Sequence, residues 1–215
     1  MILGFDTSSA HVGAALFDGQ DVIAARHEGM ARGQAERLFP MLDELLAEAG
    51  LTYGDLDAIG VGIGPGNFTG IRISVSAARG LALSLEIPAV GVSLLDAVAL
   101  GTTGPVLACL QAPRGQAYVM SHGMARGIAP QLVAIADVPT AWSEPGLTCI
   151  GSAAEDVAAR LDAGLAPAQY APASAIARIA AQRWQSSPPP PAPLYLKPAD
   201  AAPARDAPPV ILDDA

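Results

Sequence analysis

The hydrophobic pattern of the first hundred residues changes period in a fixed order, and that order limits the folds open to the chain. Residues 2–7, 11–17 and 21–28 are short apolar segments separated by Ser8-Ser9-Ala10 and by Asp18-Gly19-Gln20, the pattern of three antiparallel strands joined by tight turns. From Gln34 to Ala49 the apolar positions Leu38, Met41, Leu42, Leu45 and Leu46 recur at helical spacing, with Glu36, Arg37, Asp43, Glu44 and Glu48 opposite. Pro40 is expected to kink or start this helix and Gly50 to end it. A fourth strand follows at 58–63, and a second helix leads from the loop Gly64–Gly70 to just before Pro88. A fifth strand at 89–92 precedes a short helix through Leu100. Hairpin strands followed by parallel crossovers predict an α/β mixed sheet flanked by helices.

This is the order of an actin-like or ribonuclease H-like subdomain. Gly101-Thr102-Thr103-Gly104-Pro105 is the best internal boundary, and beyond it the pattern repeats less clearly. Strands are expected at 106–111, 117–122 and 128–135, then Ala-rich helices near 153–162 and 174–185. We therefore expect two related subdomains, the second degenerate: a first over 1–102, a second over 103–193, and a C-terminal segment with a mobile tail over 194–215. Ser186 to Pro193 is Pro-rich and expected to be extended.

Charge narrows the function. With 12 Lys+Arg against 21 Asp+Glu, the net charge of −9 gives no electrostatic footprint for nucleic acid. By itself the chain is expected to bind RNA weakly, if at all. Cys109 and Cys149 sit in apolar strand-like runs and are too few for a disulfide framework. The stretch from Leu81 to Leu100 is broken by Glu86, Pro88 and Asp96, so no membrane span is expected. The first residues enter a strand directly, which we read as a cytoplasmic protein without a leader.

The loop Gly64-Pro65-Gly66-Asn67-Phe68-Thr69-Gly70 joins a strand to a helix. Such a place can cradle phosphate on backbone N–H groups. Its spacing matches neither common phosphate-loop pattern, and Pro65 supplies no N–H. A tight turn with Asn67 or Thr69 capping the helix is the competing reading. Asp6 and Thr7 at the end of the first strand are candidates for a vestigial phosphate site, or for a structural Asx turn. The histidines His11, His27 and His122 form no His-x-x-x-His pair, no metal site is expected, and no G-x-S-x-G elbow occurs. The helix after the loop carries Ile71, Ile73, Val75, Ala77, Ala78, Leu81, Ala82 and Leu85 round most of its circumference, so it must be covered on more than one side.

Three segments carry a family resemblance: residues 1–8 (MILGFDTS), 34–40 (QAERLFP) and 64–72 (GPGNFTGIR). They resemble the TsaB family, also called YeaZ, and the third is the family's signature. The resemblance is strong to about residue 100 and returns in Pro193-Leu194-Tyr195-Leu196-Lys197-Pro198. It implies an actin-like fold of the acetate and sugar kinase, Hsp70 and actin superfamily, in two related halves. It also implies a role in making N6-threonylcarbamoyladenosine at position 37 of tRNAs reading codons that begin with A. In that family the transferase is the paralogue TsaD, which holds the metal, and the ATPase TsaE joins the pair.

The chain is then a non-catalytic scaffold that binds no cofactor alone, with ATP and metal on its partners and tRNA reached only through the complex. The expected partner surface is Leu38, Leu42 and Leu45 of the first helix with Ile71, Arg72, Val75, Ala78, Arg79 and Ala82 of the second. The same face could form a homodimer when TsaD is absent. Ala78→Arg or Ala82→Arg is expected to break pairing and leave a folded monomer. Gln34, Gln111 and Pro113 depart from the family pattern. The alternative is a small-molecule phosphotransferase or ATPase using Asp6 and the Gly64–Gly70 loop.

Overall fold

The computed structural model describes residues 1–197 of the 215. In the first half, β1 (Ile2–Asp6), β2 (His11–Phe17) and β3 (Val22–Gly29) form the expected meander. They are followed by α1 (Gln34–Glu48), β4 (Ala58–Gly62), α2 (Phe68–Leu85), β5 (Ala89–Val92) and α3 (Leu94–Ala99). The second half holds β6 (Val106–Ala112), β7 (Gln116–His122), β8 (Gln131–Ala134), β9 (Thr148–Ile150), α4 (Ala154–Leu161), β10 (Gly164–Ala166) and α5 (Pro172–Arg183).

The first sheet has the order β3-β2-β1-β4-β5 and the second the order β8-β7-β6-β9-β10. In each, the first three strands in sequence pair antiparallel, and the next two add in parallel on the other side. Position by position the two sheets have one topology. The second half is the poorer copy because short 3-10 turns at Ile135–Asp137 and Thr140–Trp142 stand where the first has α1.

Local chemistry accounts for α1 and its seat. Pro40 lies inside the helix, not at its start. Its ring costs one helical hydrogen bond on an exposed face, where water can serve the freed carbonyl. Gly50, with φ of 69°, follows the helix end. Arg37 binds Glu28 and Glu44 at 2.5 and 2.7 Å, and Arg26 of β3 binds Glu44 and Glu48 at 2.5 and 3.0 Å, clamping the helix to an edge strand. Below this network Leu38, Met41, Leu42, Leu45 and Leu46 join Leu3 and Phe5 of β1 in one apolar cluster.

The last helix of each half crosses to the other. Leu95 and Ala99 of α3 pack with Val106, Ala108 and Ile150 of the second sheet. Ala175, Ile176, Ala177, Ile179 and Ala180 of α5 pack with Ile2, Phe17, Ala58 and Val90 of the first. The second sheet ends with Ala166, and α5 packs in the core of the first sheet. Residues 187–197 have no regular structure and run along the first half, with Leu194 N–H donating to the Ile63 carbonyl at 2.8 Å. The expected mobile tail lies, from residue 198 on, outside the described residues. Among the described residues no helix is long and apolar enough to cross a membrane.

Candidate functional site

The strongest chemistry on the first subdomain gathers at the C-terminal end of β1. Asp6, Thr7 and Ser8 are fully buried. The Ser8 hydroxyl donates to Asp6 Oδ2 at 2.9 Å, and His11 Nε2 lies 3.0 Å from the same oxygen. Asp6 Oδ1 has no hydrogen-bond partner and abuts Gly62, where a Cβ would collide with it. His11 stacks on His27 with ring centroids 4.8 Å apart.

The signature loop closes over this turn. Asn67 N–H donates to the Ser8 carbonyl at 2.6 Å, and the Thr7 hydroxyl donates to the Gly70 carbonyl at 2.7 Å. Gly66 and Gly70 lie so close to the Ser8 and Thr7 carbonyls that a Cβ at either would overlap them. Asn67 caps α2 by accepting from Gly70 N–H at 3.0 Å, while Ile71 N–H donates to the Asn67 carbonyl at 2.9 Å. Two of the backbone donors that a phosphate cradle would use, the Asn67 and Gly70 amides, are thus engaged within the protein. The glycines serve close approach of loop to turn, as the structural reading holds. Asn67→Ala is expected to cost about 1 kcal/mol, the usual value of an N-cap, read as a lower urea midpoint at unchanged slope.

Leu38, Leu42, Leu45, Ile71, Val75 and Ala78 are at most 4% exposed. Leu38, Leu42, Leu45 and Ala78 belong to the cluster beneath α1 and α2, so these side chains face the chain's own sheet. Arg72 and Arg79 are exposed and Ala82 is half-buried. What the two helices present to solvent is a different set. Leu83 is 83% exposed, Phe68 47% and Phe39 of α1 42%, and Ile73 and Ala77 of α2 are half-buried.

Arg72 lies over the Phe68 ring at 3.9 Å and donates through Nε to the Tyr195 hydroxyl at 3.0 Å, while Phe68 and Tyr195 stack at 4.9 Å. The signature stretch and Tyr195, 123 residues apart in sequence at this contact, therefore meet in one exposed group. Near it, a hollow of about 400 Å³ lies between the N-terminal turns of the helices, lined by Gly33, Gln34, Ala35, Asn67, Thr69 and Ile73.

Leu83, Phe39 and Tyr195 were missed from sequence. Leu83 falls out of phase with the buried positions Ile71, Val75 and Ala78, and that break in period was the available signal. Among the described residues no group of three His, Cys, Asp or Glu is placed to hold a metal ion. Cys109 and Cys149 are free thiols buried in the second sheet.

The fold and the latched turn define a two-subdomain, actin-like α/β protein. At the level of fold, a ROK family protein from Streptococcus pneumoniae aligns with a TM-score of 0.52 at 10% identity, over 86% of this chain and 98% of that one. The family model described as TsaD, tRNA N6-adenosine threonylcarbamoyltransferase, matches residues 22–140. YeaZ from Pseudomonas aeruginosa aligns with a TM-score of 0.71 and 26% identity, over 86% of this chain and 92% of that one. An uncharacterized protein of Mycobacterium tuberculosis is 36% identical over 207 residues, 94% of each chain. The tRNA threonylcarbamoyladenosine biosynthesis protein TsaB of Escherichia coli is 36% identical over 122 residues, 54% of this chain and 52% of that one. The chain belongs to the TsaB (YeaZ) family.

Proposed function

We propose that the chain is a non-catalytic subunit required for placing threonylcarbamoyl on N6 of adenosine 37 in tRNA. Its relatives in Escherichia coli and Bacillus subtilis bear the name of that biosynthesis. The observation that carries the non-catalytic part is the latched turn: Asp6 Oδ2 accepts from the Ser8 hydroxyl with His11 Nε2 3.0 Å away, and the Asn67 and Gly70 amides are engaged by the chain itself. This also weighs against the phosphotransferase or ATPase reading, which would draw on Asp6 Oδ2 and on those two amides.

The partner we infer is a TsaD-type paralogue of the same fold, seated on Phe39, Ile73 and Leu83 of the α1 and α2 surface. The match of residues 22–140 to a TsaD model supports a partner built like this chain, because related surfaces can pair about a pseudo-two-fold axis. A stable interface of this kind buries about 1,200–2,000 Å² in total. A TsaE-type ATPase completes the assembly, with ATP and metal on the partners and tRNA held through the complex in the cytoplasm.

The test is reconstitution with the host's own TsaD- and TsaE-type proteins, threonylcarbamoyl adenylate and tRNA, followed by nucleoside mass spectrometry. Modified adenosine is expected with the chain and only background without it. Equal modification in its absence, or ATP turnover by the chain alone, would overturn the proposal.

A further inference from the structure

At the opposite end of the first sheet from Asp6, the β2–β3 hairpin, the linker and α5 enclose a second hollow of about 380 Å³. Its walls include Phe17, Gln20, Leu100, Tyr170, Arg178 and Gln182. The Arg178 guanidinium lies 4.7 Å from the Phe17 ring centroid and 4.8 Å from that of Tyr170. Two aromatic contacts hold the cation in place and shield it from water. Its hydrogen bonding is far from complete: Nη1 reaches only the Gln20 carbonyl, at 3.4 Å, and Nε is buried without an acceptor.

Among the described residues no carboxylate lies within ion-pair distance of Arg178. The nearest acid in sequence to Gln20 on its N-terminal side, Asp18, turns back to accept from the Gln20 and Asp21 amides at 2.7 Å each. Those bonds hold its carboxyl below the usual range. A guanidinium has five donors and rarely goes unpaired beside a pocket.

We propose that this pocket binds a small organic monocarboxylate. The fork of N–H donors matches a carboxylate. Phe17, Leu100 and Tyr170 supply an apolar wall for the body of the molecule. A single charge is favoured over a phosphate dianion for two reasons. Among the described residues Arg178 is the only cation lining the pocket, and the pocket sits at the C-terminal half of α5, the negative end of the helix dipole. The Gln20 and Gln182 side-chain amides make no hydrogen bond within the described residues and can meet a polar substituent. Gln169 ties its Nε2 to the Gly101 carbonyl at 2.8 Å, so the linker wall is fixed to the segment leading into α5.

The experiment is a titration of the isotope-labelled full chain, followed through the amide signals of Gly19, Gln20 and Gly101 and the Arg178 Nε–H. Benzoate is the probe, benzamide its neutral twin of the same shape, and inorganic phosphate the anion control. Benzoate is expected to shift these signals saturably with a Kd of about 1 mM or below, and benzamide to leave them unmoved. Arg178→Met, which keeps a long apolar stem between the rings, is expected to weaken benzoate roughly tenfold or more. Equal binding of benzamide, shifts with phosphate and none with benzoate, or undiminished benzoate binding by a folded Arg178→Met chain would each overturn the proposal. The comparison of benzoate with benzamide uses the unaltered protein and stands even if the variant fails to fold.

Discussion

Replacing Ala78 by Arg is expected to unfold the chain, whereas replacing Leu83 by Arg leaves it folded and releases its partner. Ala78 is fully buried in the cluster that joins α1, α2 and the first sheet. A guanidinium there has neither space nor a carboxylate, and a charge forced into such a core costs about 4 kcal/mol or more. Leu83 lies five residues on, yet is 83% exposed, so a substitution there changes stability by within about 0.5 kcal/mol. If the α1 and α2 surface receives the paralogue, a charge at its most exposed apolar side chain should weaken pairing about 30-fold or more, the scale of an interface hot spot. Circular dichroism with urea unfolding reads the first effect, and calorimetry against the purified TsaD-type protein reads the second. An Ala78→Arg chain as stable as the parent refutes the packing argument. A Leu83→Arg chain that binds as before refutes the surface.

The contrast between those two residues shows where sequence reading succeeds and where it stops. The strands and helices of the first half were legible because their signals are local: apolar runs of four to eight residues, turn residues between them, then a sustained helical period. The small residues Ala78 and Ala82 gave no such signal, because alanine is equally at home against a sheet and on a surface. Which arc of α2 faces inward became clear only once β4 and α1 were in place beside it.

In the second half, Thr148–Ile150 and Gly164–Ala166 are strands of three residues, too short for any alternation to register, and Leu165 of the latter is 58% exposed. The site divides the same way. The signature loop was visible as a strand-to-helix joint, and capping by Asn67 followed from residue type. Its role as a latch on Thr7 and Ser8 depends on contacts more than fifty residues apart in sequence. The pairing of Phe68 and Arg72 with Tyr195, and the seating of Arg178 between Phe17 and Tyr170, are long-range in the same sense. No periodicity encodes them.

The crossing of α5 onto the first sheet was the least legible feature, and it rests on contacts so close that one methyl group tests them. Gly4 of β1 and Gly60 of β4 are partners in register. A Cβ on Gly4 would lie 2.6 Å from the Ala173 carbonyl oxygen, 2.7 Å from the Ala177 nitrogen and 2.8 Å from the Ala177 Cβ. One on Gly60 would lie 2.8 Å from the Ala180 Cβ. The first two obstacles are helix backbone, which cannot swing aside as a side chain can, so any larger residue must lift α5 from the sheet. That would open the cluster of Ile2, Phe17, Val90 and Ile176 and loosen α3, which packs on α5 as well.

Gly4→Val is therefore expected to lower unfolding stability by about 3 kcal/mol or more, at the upper end of overpacking costs. Gly80 provides the control. It lies on the exposed side of α2, and a methyl group added there would meet nothing within 4 Å, so Gly80→Ala should raise stability by roughly 0.5–1 kcal/mol through helix propensity. Urea midpoints at constant slope measure both. A Gly4→Val chain that unfolds at the parent midpoint would mean that α5 does not rest on β1, and the reciprocal exchange of helices between the two halves would fall with it.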